Sequence, residues 1–262
     1  MRPFLDIRIG HLNTVDHLIL GIALPKDRDQ KHPEDNIENR IFPFAMNSWE
    51  QIGAGLKSKD INAAFMDISL AMNLADKGLN LALLMFTHRG GSRIIAPSNI
   101  SRLTDFKAKS VLIPHRHSIE HMLLHKLMDA RGLKVTSGTD PESIRAEFVS
   151  PALMPKMAAR DRDSDIAAFM CPDPFGTKGL ETKTLKCLLN SQDLWPDHPG
   201  SAFVVRRELL EKGRGTILAL VRRFFQSAQA LDRFRKDKEP IHDSIPDLAA
   251  DFLKLPPKTA ID

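Results

Sequence analysis

Hydrophobic and polar positions alternate along the first third of the chain in a way that predicts short strands followed by amphipathic helices. Residues 5–10 alternate as a strand, and residues 14–22 carry apolar side chains at helical spacing. The same succession returns at 60–66, which reads as a buried strand, and at 68–78, which reads as a helix. Strands separated by helices favour parallel pairing, because a parallel connection must cross back over the sheet. The pattern therefore predicts an α/β fold.

The rest of the chain continues this pattern. Further strands are predicted at 40–44, 79–86, 92–96, 111–113, 144–149, 165–170, 183–189 and 202–205. Further helices are predicted at 48–56, 119–131, 151–159, from 208 or 216 to 234, and near 248–253. Ser48, with Gln51 three residues later, and Ser118 are expected N-caps, and Gly132 is an expected C-terminal stop. Polar segments at 25–36 and 87–91 are predicted as a loop and a turn.

A short motif occurs twice. Asp60 begins DINAAFM, and Asp165 begins DIAAFM, each as a predicted buried strand that follows a helix. A repeat placed in this way predicts two similar α/β lobes.

The stretch from 110 to 126 contains the most suggestive chemistry. The strand at 111–113 leads into a polar corner at 114–118, and Ser118 then caps a helix. The first N–H groups of a helix lack partners inside it, and its dipole is positive there, so this corner suits a small anion. Arg116 and two histidines add further donors. The alternative is a capped helix with basic residues on its surface.

Composition narrows the functional classes. The chain has 262 residues, 42% hydrophobic and 27% charged, with a formal net charge of +4. Its basic residues are spread out, which argues against a nucleic-acid partner. No apolar run is long enough to span a bilayer, so direct membrane insertion is not expected. No signal-peptide pattern is visible at the start, which leaves a cytoplasmic location or a processed form open. Cys171 and Cys187 have no metal-type spacing, and a bridge between them is possible but not predicted.

Six segments together resemble a known family. They are IRIGHLNTVDHLILGIAL at 7–24, INAAFMDISLAMNLADKG at 61–78, HRGGSRII at 88–95, VLIPHRHSIEHMLLHKLMDARGL at 111–133, DIAAFMCPDPFGTKGLE at 165–181 and LWPDHPGSAFVVRRELLEK at 194–212. In order and spacing they resemble the substrate-binding proteins of ABC importers for nitrate, bicarbonate, sulfonates and taurine. One departure is that nitrate and bicarbonate binders commonly have a Lys after Trp-x-x-His-Pro, where this chain has Gly200 and Ser201.

The resemblance implies a type II periplasmic-binding-protein fold, with two mixed, mostly parallel sheets, helices on both faces of each, and a cleft between two lobes. Residues 1–90 would form the first part of lobe 1, 91–191 lobe 2, and 192–262 the return to lobe 1 with the C-terminal helices. The implied function is capture of a small anionic or zwitterionic solute by hinge closure, for an ABC permease in the periplasm. The protein is expected to be a monomer and to bind no cofactor. It is also expected to have no catalytic residues, so that it is not an enzyme.

The resemblance also implies which side chains line the ligand site, at the carboxyl ends of the strands. They are His11, Asn13, Met66, Asp67, Ser69, His88, Arg89, His115, Arg116, His117, Ser118, Cys171, Asp173 and His198. Arg116 is the favoured anion partner, because a guanidinium grips two oxygens in one plane. Asp67 is an awkward neighbour for an anion unless it pairs with Arg116 or Arg89, or the ligand brings a cation or donor.

Three alternatives stay open. His117, His121 and His125 share one helix face at a spacing that suits a borderline metal, although no metal site is predicted. The second alternative is an enzyme on the same scaffold, of the thiamine-pyrimidine or menaquinone-pathway type. The third is a cytoplasmic ligand sensor, comparable to the effector domain of LysR-type regulators.

Overall fold

The computed structural model describes residues 5–24, 41–136, 138, 140–161, 165–237 and 245–255. The chain divides into two compact units. The first unit comprises Met1–Met66, Leu74–Thr87 and Ser201–Asp262, and the second comprises Asp67–Asn73 and His88–Gly200. The lobe boundaries taken from the resemblance stay a prediction.

Within these residues the chain alternates between strands and helices. The strands are β1 (Ile7–His11), β2 (Ile41–Ala45), β3 (Ala63–Asp67), β4 (Leu81–Arg89), β5 (Ser92–Pro97), β6 (Ser110–Ile113), β7 (Lys134–Thr136), β8 (Ser143–Phe148), β9 (Ile166–Pro172), β10 (Leu185–Asn190) and β11 (Pro199–Arg206). The helices are α1 (Leu18–Ala23), α2 (Trp49–Ser58), α3 (Ile68–Asp76), α4 (Ile119–Asp129), α5 (Met154–Arg160), α6 (Phe175–Leu180), α7 (Ser191–Leu194), α8 (Arg207–Asp237) and α9 (Ile245–Leu253). Short 3-10 turns lie at Val15–His17 and Leu103–Phe106.

The sheet of the first unit has the strand order β2-β1-β3-β11-β4. Strand β1 runs parallel to both of its neighbours, with Ile7 opposite Ile41 and Ile9 opposite Ala63. Parallel pairing brings the carboxyl ends of β1 and β3 to the same edge of the sheet, as the sequence pattern predicts.

The core of the first unit is built on an aromatic cluster. Phe65 of β3, Phe203 of β11 and Phe224 of α8 are fully buried, with ring centroids 5.0–5.2 Å apart. Ile217 and Leu220 extend this apolar stripe of α8 onto the same cluster. The helical spacing read from the sequence therefore marks the face of α8 that is buried.

The sheet of the second unit has the order β10-β5-β9-β6-β8-β7. Strand β6 is parallel to β8 and β9, and β7 is parallel to β8. Strand β5 is antiparallel to β9 and β10. The mixed, mostly parallel sheet confirms the predicted α/β fold class.

Both copies of the repeated motif are interior strands. Ala63-Ala64-Phe65-Met66 lies in β3, and Ala167-Ala168-Phe169-Met170 lies in β9; all eight side chains are buried. Each strand has a neighbour on both sides in its own sheet, which explains why neither copy alternates between apolar and polar residues.

The predicted helix ends are confirmed. The Ser48 hydroxyl accepts a hydrogen bond from the Gln51 N–H at 3.3 Å, so Ser48 is the N-cap of α2. Gly132 lies just beyond α4 with a φ of +66°, a conformation that glycine adopts at little cost.

Four local differences have physical reasons. Strand β4 continues to Arg89, because the turn predicted at 87–91 is made by Gly90 and Gly91 alone, at φ +68° and +89°. Helix α6 and strand β7 were not predicted; both are short and have weak sequence patterns. Helix α8 runs through both expected starting points, with one non-helical residue at Gly213.

The loop predicted at 25–36 and residue 40 of the second predicted strand lie outside the described residues. Among the helices that the structure describes, none combines the length and the apolar character that a bilayer crossing requires.

Candidate functional site

The corner between β6 and α4 carries the cluster of polar groups that the sequence singled out. The Ser118 hydroxyl accepts from the His121 N–H at 3.1 Å, which makes Ser118 the N-cap of α4, as predicted. His115 is buried, and its Nδ1 accepts from the His117 N–H at 3.1 Å. Because Nδ1 is an acceptor, the proton of the neutral ring sits on Nε2.

A carboxylate of the protein itself lies at the start of α4. Asp67 is buried, and its Oδ2 accepts from the Ile119 N–H at 2.9 Å. Its Oδ1 accepts from the Ser69 N–H at 2.9 Å and from the Ser69 hydroxyl at 2.6 Å. The Ser69 hydroxyl also lies 2.7 Å from the His117 carbonyl oxygen. Part of the positive helix end is thus already neutralised by Asp67.

The ionisation of this cluster is set by burial. Burial raises the pKa of Asp67 to about 6, although the hydrogen bonds from Ser69 and Ile119 act in the opposite direction. Burial, together with the smaller coulombic effects of His117 and His121, lowers the pKa of His115 to about 3. His115 Nε2 lies 3.9 Å from Asp67 Oδ2, so these two groups face each other, with the ring neutral at pH 7.

Arg116 lies at the surface of the same corner. Its side chain is exposed, and its carbonyl oxygen is 2.8 Å from His121 Nδ1. The rings of His121 and His125 contact each other at 4.8 Å. In the part of the chain that the structure describes, no three His, Cys, Asp or Glu side chains form a group able to hold a metal ion, so the alternative at His117, His121 and His125 gains no support from the geometry.

A second cluster forms where β4 turns into β5. The Gly90 N–H donates to the His198 carbonyl at 2.9 Å, and Arg89 Nη1 donates to the Asp197 carbonyl at 2.9 Å. His198 is fully buried, and a Cβ on Gly91 would lie 2.3 Å from the ring of His88. The structure therefore brings His88, Arg89 and His198 together around one glycine turn.

The end of β9 is organised by an ion pair. Asp173 Oδ2 lies 3.0 Å from Arg93 Nη2, while its Oδ1 accepts from the Thr177 N–H at 3.0 Å. This carboxylate therefore fixes the start of α6. Cys171, one residue before Pro172, is buried, and no disulfide joins it to Cys187, which is exposed.

In the first unit, the residues after β1 are covered by the C-terminal helix α9. His11 is buried and stacks on Phe252, with ring centroids 5.1 Å apart and an interplanar angle of 23°. The Asn13 side-chain amide donates to the Phe252 carbonyl oxygen. Burial lowers the pKa of His11, so that its ring is neutral at pH 7.

The strand ends of the first unit are joined by a chain of hydrogen bonds that the sequence did not reveal. The Leu12 N–H donates to His17 Nδ1 at 3.0 Å, which leaves the ring proton on Nε2. His17 Nε2 lies 3.1 Å from the Ser201 hydroxyl, which donates to the Met66 carbonyl at 3.2 Å. No sequence signal marks this pair, because His17 and Ser201 are 184 residues apart.

Two sheets of this topology, each flanked by helices, define a type II periplasmic-binding-protein fold, and solved structures share it. A ligand-binding component of an ABC-type import system from Staphylococcus aureus, solved with zinc bound, is 23% identical at a TM-score of 0.79, over 98% of this chain and 82% of that chain. The periplasmic aliphatic sulphonate-binding protein SsuA of Escherichia coli is 18% identical at a TM-score of 0.70, over 98% and 81%. The periplasmic nitrate-binding protein NrtA of Synechocystis PCC 6803 is 16% identical at a TM-score of 0.75, over 100% and 70%.

The chain belongs to the NMT1-like family, whose sequence model matches residues 3–242. A curated relative is the nitrate import ATP-binding protein NrtC of Synechocystis sp., which is 24% identical over 266 residues. That match covers 96% of this chain but only 37% of the relative, so the chain spans little more than a third of that protein. The resemblance read from the sequence is confirmed at the level of family and fold.

Proposed function

We propose that this protein is a solute-binding protein that captures a small anionic or zwitterionic solute for ABC-type import. The observation that carries the proposal is the fold over nearly the whole chain, which matches a sulfonate-binding and a nitrate-binding component at TM-scores of 0.70 and 0.75. Ligands of open α/β sheets bind beyond the carboxyl ends of the strands, and His11, Asp67 and His115 lie at or shortly after the ends of β1, β3 and β6.

The corner after β6 supports the anion preference. Arg116 is exposed just before α4, where its guanidinium is open to a planar oxyanion and can hold two of its oxygens in one plane. Asp67 balances the buried part of the helix end, so a solute there would face Arg116 and the adjoining donors rather than the bare dipole. We propose that the other residues named in the sequence analysis, such as His11 and His198, also line the ligand site.

The hydrogen bonds of Asp67 and His115, the buried acid and base of this corner, support a protein that binds a solute without transforming it. Asp67 accepts three hydrogen bonds, and His115 is a neutral ring held by the His117 N–H. A general base needs an accessible lone pair within reach of the substrate. Both groups instead serve the local structure, which favours a binding protein over the scaffold-sharing enzyme.

The partner would be an ABC permease, and the location the periplasm, as for the sulfonate- and nitrate-binding components. A second candidate is a solute-sensing module, because the nitrate import ATP-binding protein contains a segment similar to nearly this whole chain. Such a module would bind the same class of solute and act on an ATPase.

A thermal-shift screen tests the proposal. Nitrate, sulfate, alkanesulfonates, taurine, pyrimidines and divalent metals are added one at a time. A bound solute should raise the melting temperature with the logarithm of its concentration, equivalent to about 2.7 kcal/mol at a hundredfold excess over Kd. Arg116→Ala should abolish the shift, whereas Arg131→Ala, which removes an exposed arginine beyond the other end of α4, should not.

An equal shift in Arg116→Ala and wild type would remove Arg116 from the site. A chain that no anion or zwitterion stabilises would contradict the proposal, and turnover of a bound solute would favour the enzyme. Stimulation of an import ATPase by the solute-loaded chain would favour the sensing module.

A further inference from the structure

The C-terminal helix α9 ends in an unusual backbone conformation. Lys254 has a φ of +57°, in the left-handed region that a non-glycine residue adopts only at a cost. The Leu255 N–H donates to the Ala250 carbonyl at 2.9 Å, and the Lys254 N–H to the Asp251 carbonyl at 3.4 Å. Glycine is the usual residue at this position, so a lysine there is held at some cost in backbone energy.

The same helix end is anchored to the residues after β1. The Phe252 ring stacks on His11 at 5.1 Å, and its carbonyl oxygen accepts from the Asn13 amide. Phe252 is 9% exposed and packs in the core of the first unit. Lys254, two residues further on, is thereby held at a fixed place near the end of β1.

Among these residues, Lys254 carries the permanent charge. Burial keeps His11 neutral, and the positive charge of Lys254 also lowers the pKa of that ring, as expected for two groups held close together by the stack of Phe252 on His11. The Lys254 side chain is 60% exposed, and its Nζ lies 3.7 Å from Asp251 Oδ1 in a loose surface pair. An exposed pair of this kind is worth little, so the ammonium group is available to another anion.

We propose that Lys254 is a solute-recognition residue of the first unit and supplies the fixed positive charge beside His11 and Asn13. Phe252 acts as a positioning residue that sets the end of α9 against the end of β1. This inference rests on the proposed function, because it names a charge that meets the anionic solute.

The left-handed backbone allows a test in which stability and affinity move in opposite directions. Lys254→Gly should relieve the strain and raise the melting temperature by about 2–4 °C. The same change should weaken binding of sulfate, nitrate or ethanesulfonate about five- to twentyfold, the loss expected for one charge-assisted hydrogen bond. Lys254→Arg should keep most of the affinity.

Lys59→Gly is the matched control. Lys59 also has a left-handed backbone, at φ +69°, and ends α2 in the same unit. It belongs to the opposite end of β1, because its carbonyl accepts from Arg8 and not from the residues near His11. This variant loses the same charge and gains the same backbone freedom, so the affinity for the three anions should stay within twofold of wild type.

A readout without solute separates the possible failures. The pKa of His11, followed by NMR titration, should rise in Lys254→Gly and stay unchanged in Lys59→Gly. An unchanged His11 pKa would overturn the inference, since Lys254 would not lie beside that ring. A raised pKa with undiminished anion affinity would also overturn it, and would leave the proposed function standing. Wild-type protein that binds none of the three anions would overturn this inference, whereas the proposed function would be contradicted only if taurine also left the melting temperature unchanged.

Discussion

The two units stabilise the ends of their strands with different chemistry. In the first unit, His17, Ser201 and the Met66 carbonyl form a chain of neutral groups, in which each hydrogen-bond donor meets an acceptor. In the second unit, a buried carboxylate does this work, because Asp67 caps α4 through Ile119 and holds Ser69. Burial of a hydrogen-bonded neutral group costs little desolvation free energy, whereas the larger cost of burying a charge must be offset by strong hydrogen bonds.

This difference indicates which substitutions should reduce the stability of the protein most. The carboxylate accepts more and stronger hydrogen bonds, so its loss should cost more than the loss of the hydroxyl. It also titrates, so that stability in the second unit should depend on pH. Three expected effects on stability, from the largest to the smallest, test this difference between the two units.

Removal of the Asp67 carboxylate should have the largest effect. Asp67→Ala leaves the N–H groups of Ile119 and Ser69 without their acceptor, and the free energy of unfolding should fall by about 2–4 kcal/mol. Urea denaturation gives the loss, and hydrogen exchange read by mass spectrometry should place it in the second unit.

Asp105→Ala is the matched control in the same unit. Asp105 also accepts from two backbone N–H groups, those of Ser101 and Arg102, at 3.0 and 2.9 Å, but it lies at the surface. Its loss should cost about 1 kcal/mol. Equal losses in the two variants would show that burial adds nothing to the Asp67 cap.

The pH dependence should come next in size, and the two facing groups have opposite signs. The pKa of Asp67 is raised to about 6, so its contribution is full below the unfolded value near 3.8 and is lost as the pH rises through 6. The pKa of His115 is lowered to about 3, so its contribution is full above the unfolded value near 6.5 and is lost as the pH falls.

Stability measured between pH 4 and 6.5 should separate these contributions. Asp67→Asn removes the group that favours low pH, so acidification should destabilise this variant more steeply than wild type. His115→Gln removes the opposing group, so acidification should stabilise it. Each unit of pKa shift corresponds to about 1.4 kcal/mol. Identical slopes in the three proteins would mean that neither group titrates differently in the folded state.

Interruption of the neutral chain in the first unit should have the smallest effect. Ser201→Ala removes the hydroxyl between His17 and the Met66 carbonyl, and should cost about 1–2 kcal/mol. Ser227→Ala is the control, because Ser227 is also a buried serine, whose hydroxyl donates to the Arg223 carbonyl one turn earlier in α8. Alanine suits a helix better, so this variant should be neutral within about 0.5 kcal/mol. A loss in Ser201→Ala no larger than in Ser227→Ala would contradict the proposed bridge.

Much of the fold could be predicted from short-range patterns. The repeated AAFM strands and the caps at Ser48 and Ser118 all depend on neighbours close in the sequence. Hydrophobic periodicity and capping chemistry are local, so a single sequence carries them. Helix α6 was not predicted because it is only six residues long, and the carboxylate that fixes its start, Asp173, is held by Arg93 from another strand.

The candidate site was less predictable. The sequence placed His115, Arg116 and Ser118 at one corner. It did not show that the Asp67 carboxylate would accept from the first N–H group of α4 beside them. It also gave no hint of His17 or of Phe252 over His11, because those partners are far apart in the chain. The assignment of all these residues to a solute stays a prediction.

The sequence by itself determined the α/β class, the order of most strands and helices, and the family, since these follow from local periodicity and from motifs in a fixed order. Only the tertiary structure decided which polar groups are neutral, which are charged and which are already engaged. Burial raises the pKa of Asp67 and lowers that of His115, and the stack of Phe252 on His11 places the end of α9 at the end of β1. Those quantities depend on distances in space, which the spacing of residues along a chain does not contain.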